Sequence, residues 1–154
     1  MLIVNAKRCT GCRLCELACS YKHSSIFRPS VSRIKVKLFS KEGISIPIVC
    51  LQCKECYCID ACKSEAIHKN QQTGAIEISL PKCTGCKACL IACPFGGMSY
   101  DRDLNKAIVC DLCHGDPECI KYCFSKAIEF VDIDSVTFAR GDDYIKAIKR
   151  SCFE

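Results

Sequence analysis

Tryptophan is absent from this sequence, and methionine and proline are scarce, with two and five residues. Aromatic residues make up only 8% of the chain, so it does not build a large aromatic core. No apolar run approaches the roughly 18 residues of a membrane span, and a soluble chain is expected. There is no nucleotide-binding glycine run, no nucleophile set and no substrate-pocket signature, so any substrate chemistry is expected to lie in a partner. Met1 to Ala6 is a short apolar start that reads as a strand and not as a secretory leader. The apolar fraction of 49% includes 18 cysteines. Without them it falls to roughly 37%, thin for a globular protein, and inorganic cofactors are expected to fill part of the interior.

Cysteine is what the chain has in excess. In a chain without a leader this abundance points to a reducing cytosol and thiolate ligands, not to a secreted disulfide scaffold. Cys83 to Pro94 reads C-T-G-C-K-A-C-L-I-A-C-P. This is the established C-x2-C-x2-C-x3-C-P run of bacterial iron–sulfur proteins. Cys83, Cys86 and Cys89 lie on a loop tight enough to wrap one cubane. Cys93 lies a helical turn further on and is expected to ligate a second cluster, so the run is half of a pair.

The pattern recurs four times along the chain. The first copy is a strand over Leu2 to Val4 followed by Cys9, Cys12, Cys15 and Cys19. Arg33 to Phe39 then alternates apolar and basic residues, Lys41-Glu42-Gly43 turns, and Ile44 to Val49 returns, which predicts a β-hairpin whose covered side is Ile34, Val36 and Leu38. The second copy has Cys50, Cys53, Cys58 and Cys62. Cys56 also fits the spacing after Cys53, but only Cys58 has three residues between it and Cys62, which favours Cys58 as the ligand. Gln71 to Gly74 turns into a strand over Ala75 to Leu80, which leads to the third copy. The fourth has a strand over Lys106 to Val109, then Cys110, Cys113, Cys119 and Cys123, its loop widened by His114 to Glu118. F-S-K-A-I after Cys123 echoes K-S-E-A-I after Cys62, a repeat signal independent of the cysteines. Glu129 to Ile133 is a candidate strand to pair with Leu2 to Val4. Asp142 to Arg150 carries Tyr144, Ile145 and Ile148 at helical spacing and reads as a packed tail helix.

Zinc sites pair two C-x2-C knuckles across a longer gap, whereas steps of three plus a fourth cysteine across a helical turn suit a cubane. Cys56 and Cys152 lie outside the sets and read as buried or idle thiols. The histidines show no spacing that recommends a metal site. The formal charge of +5 is no nucleic-acid footprint, because its lysines and arginines are scattered. Sixteen thiolates on four oxidised cubanes would also shift it to about −3.

With these motifs in hand, the chain resembles the four-cluster [4Fe-4S] ferredoxin-type electron-transfer subunits of molybdenum and tungsten oxidoreductases. It is most similar to the small subunits of tungsten enzymes of the aldehyde oxidoreductase type, including class II benzoyl-CoA reductase. The likeness covers residues 1 to about 135, though only Cys93 is followed by proline; Ser20, Lys63 and Phe124 hold the other places. The resemblance implies an α+β fold of two bacterial-ferredoxin-like modules related by internal repeat, one inserted in the other. The outer module would comprise residues 1–30 and 99–136, the hairpin insertion 31–49, the inner module 50–98 and the tail helix 137–154. It implies four [4Fe-4S] clusters held by Cys9, Cys12, Cys15 and Cys123; by Cys110, Cys113, Cys119 and Cys19; by Cys50, Cys53, Cys58 and Cys93; and by Cys83, Cys86, Cys89 and Cys62.

The implied role is a non-catalytic electron relay in the cytoplasm of an anaerobe. Its partner would be a larger tungsten- or molybdenum-pterin catalytic subunit, with an external ferredoxin or a flavin- or NADH-linked subunit at the other end. Alternatives are a freely diffusing polyferredoxin, an electron-transfer subunit of a hydrogenase, formate or CO dehydrogenase, and, from another class, a zinc-bound interaction module. The hairpin and the tail from Asp142 to Phe153 are not needed to hold iron and are the candidate contacts with the catalytic chain.

Overall fold

In the computed structural model, which describes residues 2–130, every sheet is a two-stranded antiparallel ladder. β1 (Leu2–Val4) pairs with β8 (Ile128–Phe130), so that Leu2 faces Phe130 and Val4 faces Ile128 and the two ends of the described chain meet. β2 (Lys35–Phe39) and β3 (Ile44–Ile48) form the hairpin, β4 (Ile67–Lys69) pairs with β5 (Ile76–Ile78), and β6 (Met98–Asp101) pairs with β7 (Lys106–Val109). The helices are short apart from α1 (Leu14–Ser24): α2 (Tyr57–Asp60), α3 (Ala88–Ala92) and α4 (Glu118–Lys121) are single turns. α1 packs on α4, and α2 on α3.

The result is a small mixed α/β fold of the ferredoxin-like kind, with its core assembled from small side chains. Four Ala-Ile pairs, at 66–67, 75–76, 107–108 and 127–128, place a buried alanine at the head of a strand and a buried isoleucine beside it. Leu2 and Ile34 complete this layer, and cysteines form much of the rest. Alanine suits these positions because cysteine-lined cavities lie directly against the strands: Ala127 and Ile128 wall one, and Ala66, Ile67 and Ala107 another.

Several strands differ from the sequence expectation. β2 begins at Lys35, β3 ends at Ile48 and β5 covers only Ile76–Ile78. β4 and β6 carry no period-two signal long enough to read; pairing with β5 and β7 makes them strands. Ile34 and Val36 are buried as the hairpin alternation predicts, but Leu38 is 58% exposed. The base of the hairpin is held by the buried Glu16 carboxylate of α1, which accepts the Val36 N–H at 2.6 Å, and nearer the turn Ser45 is buried beside Gly11 while Leu38, Phe39 and Ile44 stay exposed. The expected tail helix, Cys152 and the last residues of the expected strand over Glu129 to Ile133 lie outside the described residues.

Candidate iron-sulfur sites

Each cysteine loop turns on a left-handed residue two places after its first cysteine. Gly11 (φ +72°), Gln52 (φ +53°), Gly85 (φ +73°) and Leu112 (φ +57°) hold that place in the four loops. Such a residue bends the chain back on itself so that the flanking thiols face one centre. Glycine is required at Gly85, where a Cβ would lie 2.2 Å from the Asn105 carbonyl oxygen. Gln52 is kept for its side chain, which is buried: its Nε2 donates to the Cys110 carbonyl at 2.7 Å, and its Oε1 accepts the Ile76 N–H at 2.7 Å. It thereby ties the second loop to the fourth and to β5. In the widened fourth loop Leu112, Cys113 and His114 are all left-handed, at φ +57°, +49° and +59°. Each such non-glycine residue costs on the order of 1–2 kcal/mol. The Asp111 carboxylate holds the loop there by accepting the Cys113 N–H at 3.0 Å.

The last cysteine of each motif follows a helical turn. Cys62, Cys93 and Cys123 then enter a common tight turn closed by a left-handed residue, Glu65 (φ +51°), Gly96 (φ +65°) or Lys126 (φ +51°). That turn aims the amide four residues on at the sulfur: Ala66 N–H at 3.3 Å from Cys62 Sγ, Gly97 N–H at 3.3 Å from Cys93 Sγ and Ala127 N–H at 3.2 Å from Cys123 Sγ. K-S-E-A-I and F-S-K-A-I are therefore the sequence of this sulfur-binding turn, and the serines add contacts of 3.6 and 3.7 Å to Cys62 and Cys123 Sγ. Cys19 differs, because α1 continues to Ser24; its amide donor is Arg33 at the base of the hairpin, 3.3 Å away.

Three cavities collect cysteines from separate motifs. One is lined by Cys9, Cys12, Cys15 and Cys123, the second by Cys62, Cys83, Cys86 and Cys89, and the third by Cys50, Cys53, Cys58 and Cys93 with Cys56. The remaining quartet is marked by mutual repulsion: Cys119 is opposed by Cys110, Cys19 and Cys113. Cys56 sits apart in its role, its thiol donating to the Cys53 carbonyl at 2.9 Å. Three thiols from one tight loop and a fourth from another motif differ from the paired C-x2-C knuckles of structural zinc sites. Soft thiol donors, amide groups aimed at sulfur and apolar walls fit a polynuclear iron–sulfur group.

Burial, foremost, pushes the Cys15, Cys50 and Cys110 thiols up to about 12, and repulsion from neighbouring cysteines adds to it. Cys58 and Cys89 rise to about 11 for the same reasons. Thiols so placed ionise together only against compensating positive charge, which a bound metal provides. Burial acts the same way on Cys62 and Cys19, but hydrogen bonds outweigh it and lower both: Ser64 and Ala66 at Cys62, His23 and Arg33 at Cys19.

Beside Cys19 lies a polar cluster that spacing did not reveal. The His23 ring places Nδ1 2.8 Å from the Cys19 carbonyl and Nε2 3.0 Å from the Asp111 carboxylate, which the Arg33 guanidinium also grips. Burial disfavours the charged ring, but the Asp111 and Cys19 contacts raise His23 to about 9. Asp111 is held well below the ordinary carboxylate range because the His23 and Arg33 hydrogen bonds overcome its burial. Among the described residues His23, Asp111 and Cys113 are the one group near enough together to share a metal ion, but Cys113 belongs to the fourth cysteine loop.

A family model described as a 4Fe-4S dicluster domain matches residues 42–133. The polyferredoxin-like subunit of the aliphatic sulfonate oxidoreductase of Pyrococcus furiosus is 38% identical over 123 residues, which is 79% of this chain and 70% of that one. Electron transport protein HydN of Escherichia coli is 29% identical over 154 residues, covering 85% and 87%. Among solved structures, a chain of the active site complex BamBC of benzoyl coenzyme A reductase with zinc is alike in fold, at a TM-score of 0.50 and 24% identity over 99% of this chain and 90% of that one. The model's span and the Pyrococcus relative agree with the thiol-lined cavities, and the chain belongs to the 4Fe-4S dicluster domain family of iron–sulfur, ferredoxin-like proteins.

Proposed function

We propose that this chain is a non-catalytic subunit that relays single electrons through four [4Fe-4S] clusters between a larger catalytic chain and an external donor or acceptor. The observation that carries this reading is the crossed composition of the cavities, each closing three thiols of one motif with the last thiol of another. The ligand sets are Cys9, Cys12, Cys15 and Cys123; Cys110, Cys113, Cys119 and Cys19; Cys50, Cys53, Cys58 and Cys93; and Cys83, Cys86, Cys89 and Cys62. Motifs one and four thus make an outer module, 1–30 and 99–136, and motifs two and three an inner one, 50–98, with 31–49 inserted between. The packing of α1 on α4 and of α2 on α3 supports this nesting.

The clusters supply one-electron chemistry, and the chain's part is to hold them in a fixed file. Cys119 feels Cys15 of the first set, and Cys110 feels Cys50 of the third, so the second set stands between those two. The fourth set joins the third through α2 and α3. At the two ends of this file Cys12 and Cys86 are exposed, where electrons can enter and leave. The Pyrococcus relative is named as a subunit of an oxidoreductase, which supports a bound role for this chain beside a catalytic subunit; that this subunit is of the tungsten or molybdenum kind is part of the proposal.

Iron and acid-labile sulfide in anaerobically purified protein should each approach about 16 per chain. A colourless protein would indicate zinc, and a reproducible value of about 12 would mean that one motif, the widened fourth being the first candidate, does not hold its cluster. Purification from native cells should bring a larger subunit along; a stable monomer exchanging electrons with several enzymes would make the chain a diffusible carrier.

A further inference from the structure

The amide aimed at Cys19 breaks the rule followed by Cys62, Cys93 and Cys123. Those three receive an N–H from the turn that follows them, whereas α1 runs on past Cys19 and the donor comes from Arg33, fourteen residues away on the hairpin. An amide borrowed from so far along the chain needs something to hold it in place. Arg33 has such a hold, since its guanidinium is bound to Asp111, next in sequence to Cys110. Asp111 is itself fixed from two further sides, by His23 Nε2 at 3.0 Å and by the Cys113 N–H at 3.0 Å. The Arg33, Asp111 and His23 side chains are only 21%, 11% and 14% exposed, so solvent screens them weakly.

We infer that Arg33, keyed into place by Asp111 and His23, is a positioning residue that sets the potential of the cluster held by Cys110, Cys113, Cys119 and Cys19, and that the hairpin is therefore a working part of that site. This rests on the ligand sets proposed above. Hydrogen bonds to sulfur and nearby positive charge both favour the reduced, more negative state of a cluster, so Arg33 raises its potential. Serving only to fasten the hairpin, the ion pair would leave the potential unchanged when removed.

The test is a stepwise reductive titration of the intact, fully loaded protein, followed by visible absorbance and low-temperature electron paramagnetic resonance. In Arg33→Gln one of the reductive steps should move to lower potential while the others stay, and Arg33→Lys, which keeps the charge but loses the planar fork, should lie between. Arg28→Gln is the control, because the Arg28 guanidinium pairs with Asp101 and Asp103 and not with Asp111, and the Arg28 backbone N–H bonds to Ser20 Oγ whatever the side chain. Unmoved steps, or the same displacement in Arg28→Gln, would overturn the inference. Should Arg33→Gln fail to load one cluster, Arg33→Lys decides in the same titration, and an unmoved step there overturns it. The ligand reading is separated by the wild-type count: iron short of about 16 sinks that reading, while a full count with unmoved steps sinks only this one.

Discussion

At the scale of single residues, Cys56 and Cys58 stand two places apart and both line the third cavity, but their contacts differ. Cys58 lies within α2 and faces Cys93 across the cavity, while Cys56 caps that helix and spends its proton on the Cys53 carbonyl. Cys58→Ser should therefore lose about four iron per chain, one cubane, and Cys56→Ser should lose none. Loss in Cys56→Ser alone, measured as iron and sulfide per chain, would reverse the assignment. Ligand chemistry confines a cluster to thiolates, which is why candidate ligands were readable from spacing. Gln52, Arg33, Asp111 and His23 were not. Each acts through a partner at least 24 residues away or through backbone geometry, neither of which leaves a local pattern. The nearest signal was the echo of K-S-E-A-I in F-S-K-A-I, which the structure turns into amide donors for Cys62 and Cys123.

Among the elements, the loops carry the strain and the strands carry little. β7 falls where the sequence places it, because Lys106 to Val109 is a compact apolar run after a turn. β4 and β6 could not be read, since a three- or four-residue strand is defined by its neighbour more than by its own period. The fourth loop has three consecutive left-handed non-glycine residues, and of these His114 is exposed, with a side chain 75% accessible. His114→Gly should relieve part of that strain without touching a ligand, stabilising the loop by about 0.5–1 kcal/mol after the extra freedom of the unfolded glycine is deducted. The visible absorbance of the variant should accordingly be lost more slowly on heating, by roughly two- to fivefold. Faster loss would mean that the weak contacts of His114 with Asp111 and Glu77 matter more than its backbone.

For the molecule as a whole, the core of alanines, isoleucines and thiols is too slight to stand alone. In the four proposed sets the buried sulfurs would repel one another when ionised, and bound iron would neutralise them. Chelating the iron should abolish secondary structure together with colour, and a cooperative thermal transition by circular dichroism in cluster-free protein would contradict this.

The meeting of β1 with β8 has a further bearing, on how the protein is made. While the chain emerges from the ribosome, the cysteines at 50, 53, 58, 62, 83, 86, 89 and 93 become available together by about residue 98, so the proposed inner sites can be completed first. In the proposed sets Cys9, Cys12 and Cys15 remain one thiol short until Cys123 has been added and Ile128 reaches Val4. With these sets, maturation would proceed from the inside outward, and the first cysteines synthesised would be the last to be shielded from oxygen.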